Sequence, residues 1–398
     1  MRILVYPWHS YNYADITAEF ERRDMSVDYI PYHLDNYDSD DDFLELGKKL
    51  LAEKDYDFVF SVNYFPVISD LCQENGVRYV AWTCDNPLIA MFHRSVFNDC
   101  NIIFTFDMTN LSRFKSLGVK HIYYLPLCSD VRRIDGTLSC ARDLYLYRND
   151  ISFVGSLYEK STYDRIFPRL PEYLRGYLEA VIRAQKLIIG GNIIEDMLDE
   201  DLMLMLRDHF RLEKSGDSFS SLALIFSTTV LGFKVANEMR TDAMLTLGRD
   251  FQTALYTNSR VVELPGVDYR GEADYFLQMP KVFNSSAINL NITIPNIISG
   301  IPLRAMDIMA SGGFLLTDPR AELSVFFRAG EDYDTFESME ELKEKCAFYL
   351  AHEDERRAIA QSAHEKMAAA HDYRIRVSQM LSLIERLPDT DDPLAFMK

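Results

Sequence analysis

Basic residues are scarce. Lysine and arginine total 42 against 61 aspartates and glutamates, a formal net charge of −19 over 398 residues. Nucleic-acid binding needs a basic surface to neutralise phosphates, so this balance argues against a nucleic-acid partner, and any anionic ligand requires a local exception to the field. Cysteine is sparse too. The six (Cys72, Cys84, Cys100, Cys128, Cys140 and Cys346) are scattered, with no CxxC pair and no histidine at metal-ligand spacing, which excludes a disulfide scaffold and fits reduced thiols. No uninterrupted apolar run approaches the roughly 20 residues that span a bilayer, so no transmembrane segment is expected. The first residues, MRILVYPW, enter a strand-like run with no charged region before an apolar stretch; a cytoplasmic protein without an export signal is the expectation.

What is present is the composition of an ordinary globular protein: 48% hydrophobic and 26% charged residues, in a chain long enough for two domains with a core each. Short apolar runs recur at RILVYP (2–7), SVDYI (26–30), DFVFSV (57–62), RYVAW (78–82), NIIFTF (101–106) and HIYYL (121–125), separated by stretches with helical spacing. Such alternation predicts a parallel sheet covered on both faces. The domain it forms is expected to cover residues 1–147. A second unit starts at DISFVGSLY (150–158). From about 160 to 248 the sequence reads as a helical elaboration, and strands are then expected at 251–257, 260–264, 287–292, 313–317 and 332–336, giving a second parallel sheet in a domain of 148–372. The last helix, in 373–398, is expected to pack back on the first domain. Neither an internal repeat nor a low-complexity linker is present.

The most informative segment is 278–318, QMPKVFNSSAINLNITIPNIISGIPLRAMDIMASGGFLLTD. It predicts a buried strand, a loop with Gly300 and Pro302, a helix starting near Pro302, and Gly312-Gly313 before another strand. A helix N-terminus after a glycine-containing loop favours an anion through its free N–H groups and dipole, and diphosphate is the natural guest. Arg304 adds a charge for a phosphate oxygen, and Asp307, three residues on, an acceptor for ribose hydroxyls; an ordinary i,i+3 ion pair is the alternative. Gly155 would let the backbone approach a phosphate, or simply form a tight turn. Asn291 and Asn284 flank the buried strand, where an amide binds base, sugar or a neighbouring loop; for Asn284 capping is an equal reading.

SGIPLRAMDIMASGG (299–313) resembles the donor motif EGFGxxxxEAMAxG of the large retaining glycosyltransferase group, and the chain around it resembles the CgeB-like (spore maturation protein type) glycosyltransferases, a branch of the GT-B enzymes. On that resemblance Asp307 takes the place of the acid that contacts ribose, Met309, Ala310 and Gly312 match the small-residue helix end, and Ser299 stands where the motif has its first glutamate. Residues 57–88 and 101–130 look like the N-terminal domain joined to such donor domains, and the segment with His371, Tyr373 and Arg376 is similar to their closing helices. The resemblance implies an α/β, GT-B-like architecture: two Rossmann-type domains facing a central cleft, with a helical insertion in the second. It implies transfer of a sugar from a nucleotide-diphosphate donor, UDP-sugar first among them, to an acceptor hydroxyl on a carbohydrate, protein or lipid carrier, with no metal and no further cofactor. Gly155, Asn291, Gly300, Arg304, Asp307, Gly312 and Gly313 form the donor set.

On the N-terminal side, Asn63 follows DFVFSV and Asp85-Asn86-Pro87 follows RYVAW, both at strand carboxyl ends. Asn63 and Asn86 are therefore acceptor-side candidates. Asp85 is the candidate general base, with an Asx-turn before Pro87 as the alternative. Asp15 reads as a helix cap and His93 as a packing residue on an amphipathic helix. The acidic runs SDDDF (39–43) and DTDDP (389–393) read as caps or tails and not as metal sites. Two other functions stay open on the sequence: a sugar-nucleotide epimerase on the same scaffold, and a non-catalytic nucleotide-sugar-binding or surface-assembly protein.

Overall fold

The computed structural model describes residues 1–386 and 394, apart from 9, 160, 212–213, 215 and 261–263. The chain divides into two compact units. The first comprises Met1–Leu127, Glu213–Ser220 and Tyr373–Lys398, and the second Cys128–Leu212 and Ser221–Asp372.

In the first unit, β1 (Arg2–Tyr6), β2 (Ser26–Tyr29), β3 (Phe58–Val62), β4 (Arg78–Trp82), β5 (Asn101–Thr105) and β6 (Ile122–Tyr124) form a parallel sheet of order β2-β1-β3-β4-β5-β6. Every residue of β3 and β5 is buried, as a strand with helices on both faces demands. The intervening helices carry their own start and stop signals. Asp40 accepts from Phe43 N to begin Asp41–Glu53, so the acidic run at 39–43 is a cap; Pro66 opens Pro66–Asn75, and Gly76 ends it at φ +65°. The final helix, Tyr373–Arg386, lies on helix Tyr13–Arg22, where Arg23 Nη2 donates to Arg374 O (2.6 Å) and to Ser378 Oγ (2.9 Å), and Tyr373 meets Trp82 edge-on at 6.1 Å.

In the second unit, β7 (Asn149–Val154), β8 (Thr253–Tyr256), β9 (Val267–Gly271), β10 (Ser286–Asn291), β11 (Leu315–Thr317) and β12 (Asp334–Thr335) form a parallel sheet of order β12-β11-β10-β7-β8-β9. The strand order reverses between β7 and β10. At such a switch point the loops leaving neighbouring strands diverge to opposite faces and open a crevice at the carboxyl ends. The expected strand at 260–264 lies largely outside the described residues, and the strand that pairs with β8 is β9, whose sequence VDYRG is polar and half exposed because it forms the sheet edge. The helical elaboration is present between β7 and β8. Its principal member is one continuous helical stretch, Leu222–Gly248, with a π-turn at Ser227–Leu231. By length and composition this stretch could cross a membrane, but half of its most apolar window is buried inside the protein, where Val235, Met239, Ala243, Met244 and Leu247 join the core over the sheet. DTDDP (389–393) lies outside the described residues.

Candidate active site

Glycine 155 terminates β7 and Asn291 terminates β10, on the two sides of the switch point. Arg304, on the second residue of helix Leu303–Ala310, reaches both. Its Nη1 donates to Asn291 Oδ1 (3.2 Å), and its guanidinium lies over the Phe153 ring, 5.0 Å from the centroid. Gly155 has φ +148°, and a Cβ there would stand 2.3 Å from Arg304 Nη2, so glycine is required both by the backbone and by the close approach. Asn291 is fully buried and oriented by its own amide, which donates to Thr293 Oγ1 (3.0 Å) and Thr317 Oγ1 (2.9 Å), leaving the carbonyl oxygen to Arg304.

A second guanidinium lies beside the first. Arg240, buried on the long helix, sits 5.4 Å from the same Phe153 ring and 4.9 Å from Tyr158. It donates to Ser156 O (2.6 Å) and, through Nε and Nη2, to Ile292 O (3.2 and 2.8 Å), while Asn237 Nδ2 holds Leu157 O (2.8 Å). These bonds hold the loops that leave β7 and β10 in place. Among the described residues neither arginine forms an ion pair with a carboxylate. The electrostatic consequence is visible: burial lowers the pKa of both, and for Arg304 the adjacent Arg240 lowers it further. Two guanidiniums in a poorly hydrated place, with no carboxylate bonded to either among the described residues and only the more distant charges of Asp318 and, for Arg304, Asp307 opposing them, favour an anion.

The loop from β10 to helix Leu303–Ala310 is ordered from below. Asp318, buried after β11, accepts from Thr293 N and Oγ1 (both 2.8 Å) and pairs with Arg320, which donates to Ile297 O (2.7 Å). At the end of that loop Ser299 Oγ donates to Glu322 Oε1 (2.7 Å), and Glu322 N donates to Ser299 O (3.1 Å). A carboxylate thus stands at Ser299, brought there from 23 residues further along the chain.

The rest of the expected donor set is dispersed. Gly300 is buried in the loop before the helix. Pro302 is the residue just before the helix and not in its first turn. Asp307 is buried and accepts from Ser129 Oγ (2.5 Å) and Tyr275 OH (3.2 Å). Gly312, at φ +67°, and Gly313 follow the helix's carboxyl end, at the amino-terminal edge of the sheet; Gly313 packs against Phe283 O and Asn289. Asn284 donates to Ser311 O (2.9 Å), the capping role.

In the first unit the structure joins Asn63 and Asp85 at the carboxyl ends of β3 and β4. Asn63 Nδ2 donates to Asp85 Oδ2 (2.7 Å), and Asn63 Oδ1 accepts from Cys84 N (2.9 Å) and Asp85 N (3.3 Å). Asn63 is buried and takes φ +63°, a conformation that asparagine tolerates better than most side chains. Asp85 is at the surface, yet desolvation of its carboxyl raises its pKa against the lowering effect of the Asn63 hydrogen bond. Asn86 is buried beside it. His93 is not on an amphipathic helix. It begins the 3-10 turn Arg94–Phe97, its Nδ1 accepting from Ser95 N (3.2 Å).

A family model described as glycosyl transferase-like matches residues 240–382, a stretch that begins at Arg240 and takes in Asn291, Arg304, Asp307 and Glu322. Among solved structures, a trehalose-6-phosphate synthase superposes with a TM-score of 0.53 at 11% identity, covering 97% of this chain and 99% of that one. Sucrose-phosphate synthase from Thermosynechococcus elongatus gives 0.51 at 10% identity, with 97% and 99% covered. The fold is GT-B-like. HepE of Anabaena, in complex with UDP and glucose, gives 0.51 at 10% identity, with 96% and 99% covered. Curated proteins give no significant match.

Within this GT-B-like fold, Gly155, Asn291 and Arg304 converge as the sequence suggests. Arg240 and Glu322 do not stand out in the sequence. Arg240 lies in a long helical run with no motif of its own, and its only sequence signal is an arginine amid the apolar residues of a core helix. Glu322 carries no signal at all, because its relation to Ser299 depends on the loop after β11 folding back.

Proposed function

We propose that the chain is a glycosyltransferase of the CgeB-like type, moving a hexosyl group from a UDP-sugar to an acceptor hydroxyl. The observation that carries this reading is the pair of guanidiniums, Arg304 and Arg240, at the switch point of the second unit's sheet with no carboxylate paired to either among the described residues. In transfer, the bond between the sugar's C1 and the diphosphate oxygen breaks and negative charge accumulates on the leaving diphosphate. Fixed cations that need no reorganisation receive that charge, which is the larger part of what a protein can contribute to such a step. The UDP bound to HepE supports the choice of nucleotide. Asp307 is assigned to the ribose side, and Glu322, standing at Ser299, supplies the acid that the resembled motif places one loop earlier.

In the first unit, Asp85 is assigned to take the acceptor hydroxyl's proton as the new C1–oxygen bond forms, oriented by Asn63. Turnover is assigned to these side chains and no metal, so chelation with EDTA leaves it unchanged. The test is a thermal-shift and hydrolysis screen against UDP-, GDP-, dTDP- and CMP-sugars, repeated with Arg304→Ala. Stabilisation by a UDP-sugar that disappears in the variant supports the reading, and no response to any donor overturns it.

A further inference from the structure

The second unit's sheet has another opening at its opposite, amino-terminal edge. A cavity of about 470 Å³ lies where β7, β8 and β10 begin, and helix Glu353–Ala370 starts beside it. That volume suits a small metabolite. Three arginines line it, Arg148, Arg356 and Arg357, against two carboxylates, Asp150 and Glu353. On a chain of net charge −19 this is a local excess of positive charge. Arg357 is engaged by Glu353 (2.5 Å), and Arg356 donates to Tyr349 O (2.6 Å). Arg148 is exposed and, among the described residues, has no ion pair. Burial lowers the pKa of Arg356 and Arg357 next to it adds to that, while Glu353 and Asp150 act in the opposite sense.

The floor of the cavity adds a different chemistry. Asn149, the first residue of β7, is 6% exposed. Its Nδ2 donates to Tyr147 O (2.9 Å), Ser286 Oγ (3.2 Å) and Tyr256 OH (3.3 Å), but its Oδ1 accepts no hydrogen bond among the described residues. A buried carbonyl oxygen lacking a donor, beside Arg148, which has no ion pair among the described residues, asks for a ligand that carries both a hydroxyl and an anionic group.

We propose that this cavity is a second ligand site, separate from the Arg304 site, for a phosphorylated and hydroxyl-bearing small molecule of the sugar-phosphate class. The phosphate is held by Arg148 and Arg356, and a hydroxyl of the ligand donates towards Asn149. The test is calorimetric titration of the full chain with glucose 6-phosphate and, separately, inorganic phosphate, on wild type, Arg304→Ala and Arg148→Glu. Arg148 is exposed, so its charge reversal leaves the fold intact, which circular dichroism checks. Glucose 6-phosphate is expected to bind Arg304→Ala within about twofold of wild type and to bind Arg148→Glu at least tenfold more weakly, while UDP-sugar binding by Arg148→Glu is unchanged. Loss of glucose 6-phosphate binding in Arg304→Ala, indifference to Arg148→Glu, or no binding at all overturns the site. Inorganic phosphate binding as tightly as glucose 6-phosphate overturns the hydroxyl-bearing ligand class.

Discussion

The guanidinium of Arg304 fills the space that a side chain on Gly155 would occupy: a Cβ there would stand 2.3 Å from Nη2 and 3.0 Å from Cζ. Gly155→Ala therefore displaces Arg304 and strains a backbone at φ +148°. The expected result is a loss of UDP-sugar affinity of tenfold or more, read by titration, with the circular dichroism spectrum retained. Unchanged affinity would remove Arg304 from the donor site.

Arg304 and Arg240 separate binding from folding. Arg304→Ala deletes a charge-assisted contact of about 1.5–3 kcal/mol, so the donor constant weakens roughly 10- to 150-fold, with little change in Tm. Arg304→Lys restores the charge without the planar fork and recovers only part of the loss. Arg240→Ala instead leaves Ser156 O and Ile292 O without their donors, and the expected cost is about 2 kcal/mol of stability in addition to weaker donor binding. Thermal denaturation of the two variants side by side decides the division.

Asp85 provides a pH signature. Desolvation raises its pKa, and the Asn63 hydrogen bond lowers it. As a general base it must be ionised, so kcat/KM rises with pH through a value above that of an ordinary aspartate. Asn63→Gly keeps the positive φ but removes the hydrogen bond, and shifts that acid limb to higher pH. A folded pKa above the unfolded one means that ionising Asp85 opposes folding. Its effect is absent below the unfolded pKa, grows as pH rises through the window up to the folded pKa, and is then constant. Asp85→Asn consequently abolishes turnover while leaving neutral-pH stability equal or slightly higher, the gain being small because the residue is solvent-accessible.

The Ser299–Glu322 pair predicts a split between sugar and nucleotide. Glu322→Gln preserves an acceptor for Ser299 Oγ but removes the charge. Turnover with the UDP-sugar is expected to fall tenfold or more while the dissociation constant of UDP alone stays within twofold. A parallel loss of UDP affinity would assign Glu322 to holding the loop.

Strand positions and the two-sheet α/β plan were legible in the sequence, because strands buried on both faces must be continuous apolar runs such as FVFSV and NIIFT, and only a parallel arrangement with covering helices buries them. The same pattern failed at β9, where an edge strand need not be apolar; β12 falls within the expected 332–336 but is only two residues long. Gly155, Asn291 and Arg304 were legible because strand ends and a helix start are local features. Tertiary structure alone decided the rest. Which strands neighbour one another puts the switch point between β7 and β10, and that adjacency sets Arg240 beside Arg304 across 64 residues of chain and brings Glu322 to Ser299. Local propensity and periodicity act over a few residues, whereas these contacts are made by loops whose paths are set by sheet order and by buried hydrogen bonds such as those of Asp318 and Arg240. The sequence by itself determined most of the elements and where their ends lie. Only folding determined which of those ends meet.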